Sequence, residues 1–128
     1  MSFLDKIFGG KQDPEETKSF WNTIRSEEDL EKAVQKSYEN RIAIFKHSTS
    51  CFISKTVLKN FEKEIENSET QNQNVSFYFL NLLAFRPISN KIAEDFEIRH
   101  ESPQLIVIEN GKAINNASHQ GISLSQVL

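Results

Sequence analysis

The sequence predicts an α/β domain in which a central mixed sheet is flanked by helices. Three observations predict it: short apolar runs alternate with segments of helical periodicity, the second of these runs is continuously apolar, and an Asn-Gly pair separates the last two. A chain of 128 residues is long enough for one domain with a real core and too short for two. The predicted order is β-α-β-α-β-α-β-β-α, with parallel strands first and an antiparallel hairpin closing the sheet.

The amino-terminal part, residues 1–18, is expected to be a short amphipathic or mobile segment, and residues 19–128 form the predicted domain. Four apolar residues share one face of a short helix that two glycines end: Phe3, Leu4, Ile7 and Phe8. Such a face suits a membrane or a partner. One or two turns bury too little apolar area to anchor anything alone, so we favour a tail that packs loosely or stays mobile.

The first half of the domain begins with FWNTI, residues 20–24, as a short strand. SEEDLEKAVQKSYEN, residues 26–40, is a predicted helix with Ser26 as its N-cap and acidic residues in its first turn. Its inner face is formed by Leu30, Val34 and Tyr38. RIAIFK, residues 41–46, is a short apolar run typical of a strand that is buried on both faces.

The next helix and strand follow directly. CFISKTVLKNFEKEIEN, residues 51–67, has an apolar stripe at four-residue steps, consisting of Ile53, Val57, Phe61 and Ile65, widened by Leu58. A polar loop, residues 67–74, leads to the strand VSFYFLNL, residues 75–82.

The carboxyl-terminal third begins with RPISNKIAEDFEI, residues 86–98, a predicted helix with Pro87 in its first turn. Its inner face consists of Ile88, Ile92 and Phe96. QLIVIENGKAI, residues 104–114, predicts a hairpin that turns at Asn110-Gly111. GISLSQVL, residues 121–128, is expected to be a last amphipathic helix.

Composition excludes several classes of protein. A net charge of -3 gives no basic field for nucleic acid, and no apolar run approaches the roughly 20 residues of a membrane span. The amino terminus lacks the pattern of a signal peptide, and one cysteine cannot form an internal disulfide framework. The sequence therefore predicts a cytoplasmic protein whose thiol is free for intermolecular chemistry.

The single cysteine, Cys51, lies in HSTSCFISK, residues 47–55, between a predicted strand and a predicted helix. We expect its sulfur in the first helical turn, where unpaired N–H groups and the helix dipole stabilise a thiolate, the species that attacks disulfides. Lys46 and Lys55 would add to this effect, as would His47 if its ring turns toward the sulfur. The neighbouring hydroxyl side chains would leave the sulfur accessible and donate hydrogen bonds: Ser48, Thr49, Ser50 and Ser54.

The principal alternative is a buried structural cysteine, since free Cys is among the most buried residue types. Cys51 precedes the apolar stripe and lies in a hydroxyl-rich turn, which favours a reactive thiol. A Cys-His hydrolase would need an oxyanion hole and a histidine at the sulfur, from His47, His100 or His119, and neither feature is visible. A metal site is not predicted, because one cysteine and three scattered histidines lack zinc-ligand spacing.

Ser54 stands three residues after Cys51, where a C-x-x-C oxidoreductase carries its resolving cysteine. A C-x-x-S site forms a mixed disulfide but cannot resolve it internally, so a second, external thiol must finish the reaction.

These residues resemble a known family. HSTSCFIS, residues 47–54, and RPISNKIAEDFEIRHESPQLIVIENGK, residues 86–112, resemble the monothiol bacilliredoxins, the YtxJ-like branch of the thioredoxin superfamily in bacillithiol-using bacteria. The resemblance runs from about residue 19 to the end, and FLDKIFGG at the amino terminus is also similar.

The resemblance implies a thioredoxin-like fold with Cys51 as the redox cysteine and Ser54 as the family's serine. It also implies a cis bond before Pro103, in a loop beside the sulfur, where the backbone of Ser102 is free to pair with an incoming disulfide-bearing segment. One departure is Phe52, since the family usually has proline immediately after the cysteine.

The function implied is removal of bacillithiol from protein mixed disulfides, with bacillithiol as co-substrate and no bound cofactor. The expected partners are bacillithiolated client proteins and the low-molecular-weight thiol itself. Four cations are candidates for binding its malate carboxylates: Lys46, Lys55, Arg86 and Arg99. One alternative is a thioredoxin-like binding module that holds a partner around Phe52 and Pro103, with Cys51 as a redox sensor; another keeps the chemistry but uses glutathione or coenzyme A.

Overall fold

The computed structural model describes residues 18, 20–68 and 74–127. The predicted amino-terminal helix, the domain boundary at residue 19 and most of the polar loop 67–74 lie outside this part of the chain. The elements are β1 (Trp21–Thr23), α1 (Glu27–Lys36), β2 (Arg41–His47), α2 (Phe52–Asn67), β3 (Val75–Asn81), α3 (Arg86–Asp95), β4 (Gln104–Glu109) and β5 (Lys112–Ser118). In the described ranges, no helix combines the length and the apolar character that crossing a membrane requires.

The five strands form one mixed sheet in the order β1-β3-β2-β4-β5. β1 and β2 are both parallel to β3, whereas β4 is antiparallel to both β2 and β5. The predicted α/β class and the predicted change from parallel strands to an antiparallel hairpin are therefore confirmed. β2 is the central strand and is buried from Ile42 to His47, as its continuous apolar run predicts.

Helices cover both faces of the sheet. α2 packs on one face, against the alternate strand residues Ala43, Phe45, Phe77, Phe79, Leu105 and Val107. α1 and α3 pack on the other, against Ile42, Ile44, Leu80, Ile106 and Ile108. Because successive strand side chains point to opposite faces, β2, β3 and β4 each contribute to both core clusters.

The hairpin between β4 and β5 has the predicted two-residue turn. Asn110 and Gly111 both have positive φ, 55° and 76°, and Glu109 pairs with Lys112 across the turn. A turn of this kind requires two left-handed residues, which Asn-Gly accepts most readily. The N–H groups of Asn110 and Gly111 donate to the carbonyl (2.8 Å) and hydroxyl (2.9 Å) oxygens of Ser37, which holds the hairpin against the end of α1.

The prediction of a last amphipathic helix over residues 121–128 is wrong. Residues after β5 form two single-turn 3-10 helices, His119–Gly121 and Leu124–Gln126. The buried side chains here are those of Ile122, Leu124 and Val127. Residues spaced by two and then three positions do not lie on one face of a regular α-helix, so the chain buries these side chains through separate turns.

Two predicted inner faces also need correction. α1 ends at Lys36, and Tyr38 lies beyond it with 60% of its surface exposed, since the chain already turns toward β2. In α2, Val57, Phe61 and Ile65 are buried as predicted, but Ile53 in the first turn is exposed.

Candidate active site

The site lies at one edge of the sheet, where three chain segments meet. β2 and β3 are parallel, so the loops after His47 and after Asn81 leave from the same edge. β4 is antiparallel to β2 and pairs Gln104 with Lys46, so the segment before Gln104 lies at this edge as well. The topology thus brings Cys51 and Pro103 to one end of the molecule, although 52 positions separate them.

Cys51 is the N-cap of α2, with extended backbone angles (φ -106°, ψ 120°), and not a residue of the first turn as predicted. Its N–H donates to the carbonyl of Ser48 at 3.2 Å, and its carbonyl accepts from the N–H of Lys55 at 3.1 Å. The half-buried thiol therefore lies where the first N–H groups of α2 have no intrahelical acceptor. Their partial positive charge favours an anion at the sulfur.

Ser54 is fully buried beneath Cys51 in the first turn of α2. Its hydroxyl oxygen accepts from the N–H of Ser48 at 3.1 Å and lies 2.8 Å from Nδ1 of His47. The Ser48 N–H already uses one lone pair of that oxygen, and the serine O–H is free to donate to the ring. Ser54 therefore joins the end of β2 to α2 and fixes the turn that carries the cysteine.

His47 does not supply positive charge to the sulfur. Burial, followed by the charge of Lys55, lowers the pKa of His47 to about 4, so the ring is neutral at neutral pH. Its ring packs between Phe45 and Phe79, with centroid distances of 6.4 and 5.5 Å. The expectation that His47 adds to thiolate stabilisation as a cation is therefore not supported.

The residues flanking Cys51 differ in exposure. Thr49 is half-buried and Ser50 is exposed, with its hydroxyl 3.3 Å from that of Ser48. Phe52, which stands where the family usually has proline, is 80% exposed. Its ring therefore forms part of the surface beside the thiol.

Residues 99–103, named here the proline loop, lead into β4. The Ser102–Pro103 peptide bond is cis, as the resemblance implies. Pro103 is buried, and its carbonyl accepts from the N–H of His119 at 3.0 Å. In the described part of the chain, the backbone of Ser102 makes no backbone–backbone hydrogen bond outside the regular elements, and its buried hydroxyl has no partner.

Three of the four candidate cations are exposed and one is buried. Lys55 is exposed on α2, Arg86 is exposed at the start of α3, and Arg99 is exposed in the proline loop. Lys46 is instead fully buried. It lies on the face of the sheet that α1 and α3 cover, because it alternates with Phe45 and His47, so it lacks the exposure that contact with a ligand carboxylate requires.

The buried ammonium group of Lys46 is held by polar groups. Its Nζ donates to the carbonyl of Ser89 in α3 at 3.0 Å and lies 3.4 Å from Nδ1 of His100. The sequence patterns predict neither this cluster nor the role of Gln104, whose amide donates to the carbonyl of Arg99 at 2.9 Å. A signal was present, since a lysine inside a strand predicted to be buried on both faces must itself be buried.

Burial lowers the pKa of Lys46 from 10.5 to about 8, which yields a stability prediction. The unfolded chain binds more protons than the folded one between these values, so stability should rise with pH there and be lost as pH falls toward 8. We expect a slope up to about 1.4 kcal/mol per pH unit greater than in Lys46→Met. Urea denaturation of both proteins across this window measures it, and parallel pH profiles would contradict the prediction.

Within the described ranges, no three His, Cys, Asp or Glu side chains are grouped so as to hold a metal ion. The histidines considered for a hydrolase are separated by the fold. His47 contacts Ser54, and His100 contacts Lys46. His119 is exposed, with its Nδ1 3.7 Å from Oε1 of Glu101.

Comparisons with known proteins agree with this geometry. A structure described as a candidate oxidoreductase with a thioredoxin fold is 28% identical, with a TM-score of 0.69 over 84% of this chain and 89% of that one. Thioredoxins from Malassezia sympodialis (18%, TM-score 0.63, 77% of each chain) and Fasciola hepatica (15%, TM-score 0.62, 77% and 86%) share the fold. The family model for monothiol bacilliredoxin BrxC matches residues 22–127. The chain therefore belongs to the monothiol bacilliredoxin BrxC family and has the thioredoxin fold of a thiol oxidoreductase.

Proposed function

We propose that this protein removes bacillithiol from protein mixed disulfides, using Cys51 as its only reacting thiol. The observation that carries the proposal is the half-buried thiol at the N-cap of α2 with buried Ser54 in the position of a resolving cysteine. Such a site can accept a thiol adduct and has no neighbouring thiol to displace it.

The reaction is two successive thiol–disulfide exchanges. The Cys51 thiolate attacks the bacillithiol sulfur of the mixed disulfide, the disulfide bond breaks, and the client thiolate leaves and takes a proton from solvent. A second bacillithiol thiolate then attacks the bacillithiol sulfur on Cys51, which releases bacillithiol disulfide and restores the Cys51 thiolate. The unpaired N–H groups at the start of α2 stabilise the cysteine as an anion before attack and as a leaving group after it.

Recognition of the carrier thiol is proposed for exposed cations at the edge of the sheet. Lys55, Arg86 and Arg99 all lie on elements that begin or pass near this edge. Bacillithiol carries two malate carboxylates, and arginine binds carboxylates in a bidentate manner. We place the reaction in the cytoplasm, where thiols are kept reduced.

A second candidate function is a binding module in which Cys51 acts as a redox sensor without turnover. The observation that favours it is that apolar side chains are exposed at this edge of the sheet: Phe52 and Ile53 directly after Cys51, and Leu83 in the loop after β3. Exposed apolar patches mark protein–protein contact sites. A sensor is modified once and changes its affinity for a partner, whereas an enzyme regenerates with excess small thiol.

Intact-mass spectrometry of the protein mixed with a bacillithiolated client tests the proposal. We expect a bacillithiol adduct on Cys51 that appears as free client thiol is released and disappears when bacillithiol is added. Cys51→Ser should form no adduct and release no client thiol. Clients loaded with glutathione or coenzyme A, tested in parallel, identify the carrier by the fastest transfer.

Two outcomes would count against the enzyme. A client that stays modified beside the wild-type protein would contradict transfer through Cys51. An adduct that forms but persists in excess bacillithiol would favour the sensor.

A further inference from the structure

Among the described residues, the buried ammonium group of Lys46 forms no ion pair with a carboxylate. Nζ of Lys46 reaches the carbonyl of Ser89 and Nδ1 of His100, and the hydroxyl of Ser89 also lies 3.4 Å from that Nδ1. A buried charge needs hydrogen-bond acceptors, because burial removes its water. One histidine nitrogen therefore faces two groups that can donate to it.

This arrangement determines where the proton of His100 lies. An ammonium group has three donors and no acceptor, so Nδ1 of His100 must present its lone pair to Lys46. A neutral ring with a free Nδ1 carries its proton on Nε2. A protonated ring would place an N–H and a positive charge against the ammonium group, and the contact would break.

The contact holds the proline loop. His100 lies two positions before Ser102, and the same loop is tied to β4 by Gln104, which donates to the carbonyl of Arg99 and accepts at 3.4 Å from the N–H of Glu101. Gln104 itself pairs with Lys46 in the sheet. The unpaired backbone of Ser102 is thus presented by a loop that two buried side chains fix from behind.

We propose that Lys46 and His100 are positioning residues for client recognition: neutral His100 accepts from Lys46 and holds the proline loop ready to pair with the client segment, and protonation of His100 releases it. The inference rests on the proposed function. It predicts that acid weakens reaction with peptide-borne disulfides more than reaction with small ones.

Burial and the charged groups around His100 determine whether its pKa is raised or lowered. Burial, then the positive charges of Lys46 and Arg86, lower the pKa of His100 below its usual 6.5, while Glu101 opposes them. Arg99 is the adjacent residue in the chain, and His119 contacts Glu101. The neutral ring therefore predominates at neutral pH, and the loop is released only as the pH falls through the lowered pKa of His100.

The test compares two substrates, a peptide carrying bacillithiol as a mixed disulfide and 2-hydroxyethyl disulfide, which has no peptide backbone. Both reactions need the Cys51 thiolate. The second-order rate constant for the peptide, divided by that for 2-hydroxyethyl disulfide, is therefore independent of the titration of that thiol. We expect the ratio to fall about tenfold in the wild type once His100 is protonated, the size of a lost charged hydrogen bond.

Three variants distinguish the effect of the Lys46–His100 contact from the titration of other groups. His100→Asn keeps an acceptor near the position of Nδ1 without titrating, so its ratio should stay constant with pH. Lys46→Met removes the donor and keeps an apolar stem, so its ratio should already be low at neutral pH. His119→Asn removes a nearby histidine outside the cluster and should follow the wild type.

A nitrogen-15 NMR spectrum of the ring gives a readout independent of activity, and we expect Nε2–H on His100 at neutral pH. In acid we expect lower protection factors for the amides of the proline loop, that is, exchange closer to the intrinsic rate at the same pH. The inference is overturned if the ratio in His100→Asn follows the wild type, or if Nδ1 carries the proton. If the wild type releases no peptide thiol, the proposed function fails. The tautomer of His100 and the amide exchange of the proline loop then still show whether Lys46 and His100 hold that loop.

Discussion

Ser54→Cys should convert the monothiol site into one that closes an intramolecular disulfide with Cys51. Ser54 lies three residues after Cys51 in the first turn of α2, and residues at that spacing are neighbours on a helix. The substitution changes one oxygen into sulfur, and a mild disulfide oxidant would take up the two electrons and two protons released. In turnover, the new thiolate would displace bacillithiol from Cys51 without a second bacillithiol molecule.

Mass spectrometry after alkylation of free thiols measures this outcome. We expect oxidised Ser54→Cys to lose two hydrogen atoms and resist alkylation until a dithiol reductant is added. Thr56→Cys is the matched control, since it adds a thiol at an exposed position of the same helix. Two alkylated thiols in oxidised Ser54→Cys would show that the buried position cannot reach the sulfur of Cys51.

Replacing Phe45 with alanine should produce the largest loss of stability. Phe45 is fully buried in β2, and its ring lies 6.1 Å from that of Trp21 and 5.8 Å from that of Phe61, centroid to centroid. Truncating a buried phenylalanine removes its transfer free energy and leaves a cavity, typically about 3–5 kcal/mol. We expect a loss of this size in the free energy of unfolding, measured by urea denaturation.

Phe52→Ala is the matched control, because it makes the same chemical change at a side chain that is 80% exposed. An exposed substitution of this kind usually changes stability by less than about 0.5 kcal/mol. Equal denaturation midpoints for the two variants would contradict the placement of Phe45 in the core. A slower reaction of Phe52→Ala with clients, at unchanged stability, would assign the exposed ring to client contact.

Local patterns were sufficient for most elements of the fold. The Asn110-Gly111 turn was predictable because few residue pairs tolerate two positive φ angles. The N-cap of α1 was predictable because Ser26 accepts from the N–H of Asp29, an interaction that needs only neighbouring residues. The last helix was mispredicted because burial of Ile122, Leu124 and Val127 against α2 and the sheet outweighed local helical preference.

The candidate site was predictable only in part. Cys51 and Ser54 could be singled out from their spacing and from the strand-to-helix junction, which placed the thiol to within one residue of its position. The burial of Lys46 could be predicted but its partners could not, because a strand's alternation says which residues share a face but not which helix covers it. That depends on the strand order β1-β3-β2-β4-β5, which long-range pairing decides.

The α/β class, the hairpin and the single thiol without a resolving partner follow from short-range backbone preferences and side-chain chemistry, so the amino-acid sequence is enough to predict them. The contact of buried Lys46 with His100, 54 residues away, and the bond between His47 and Ser54 depend on how the elements pack. A buried polar group takes its partner from whatever the packed elements bring within about 3 Å. That partner is set by topology and packing across the whole domain.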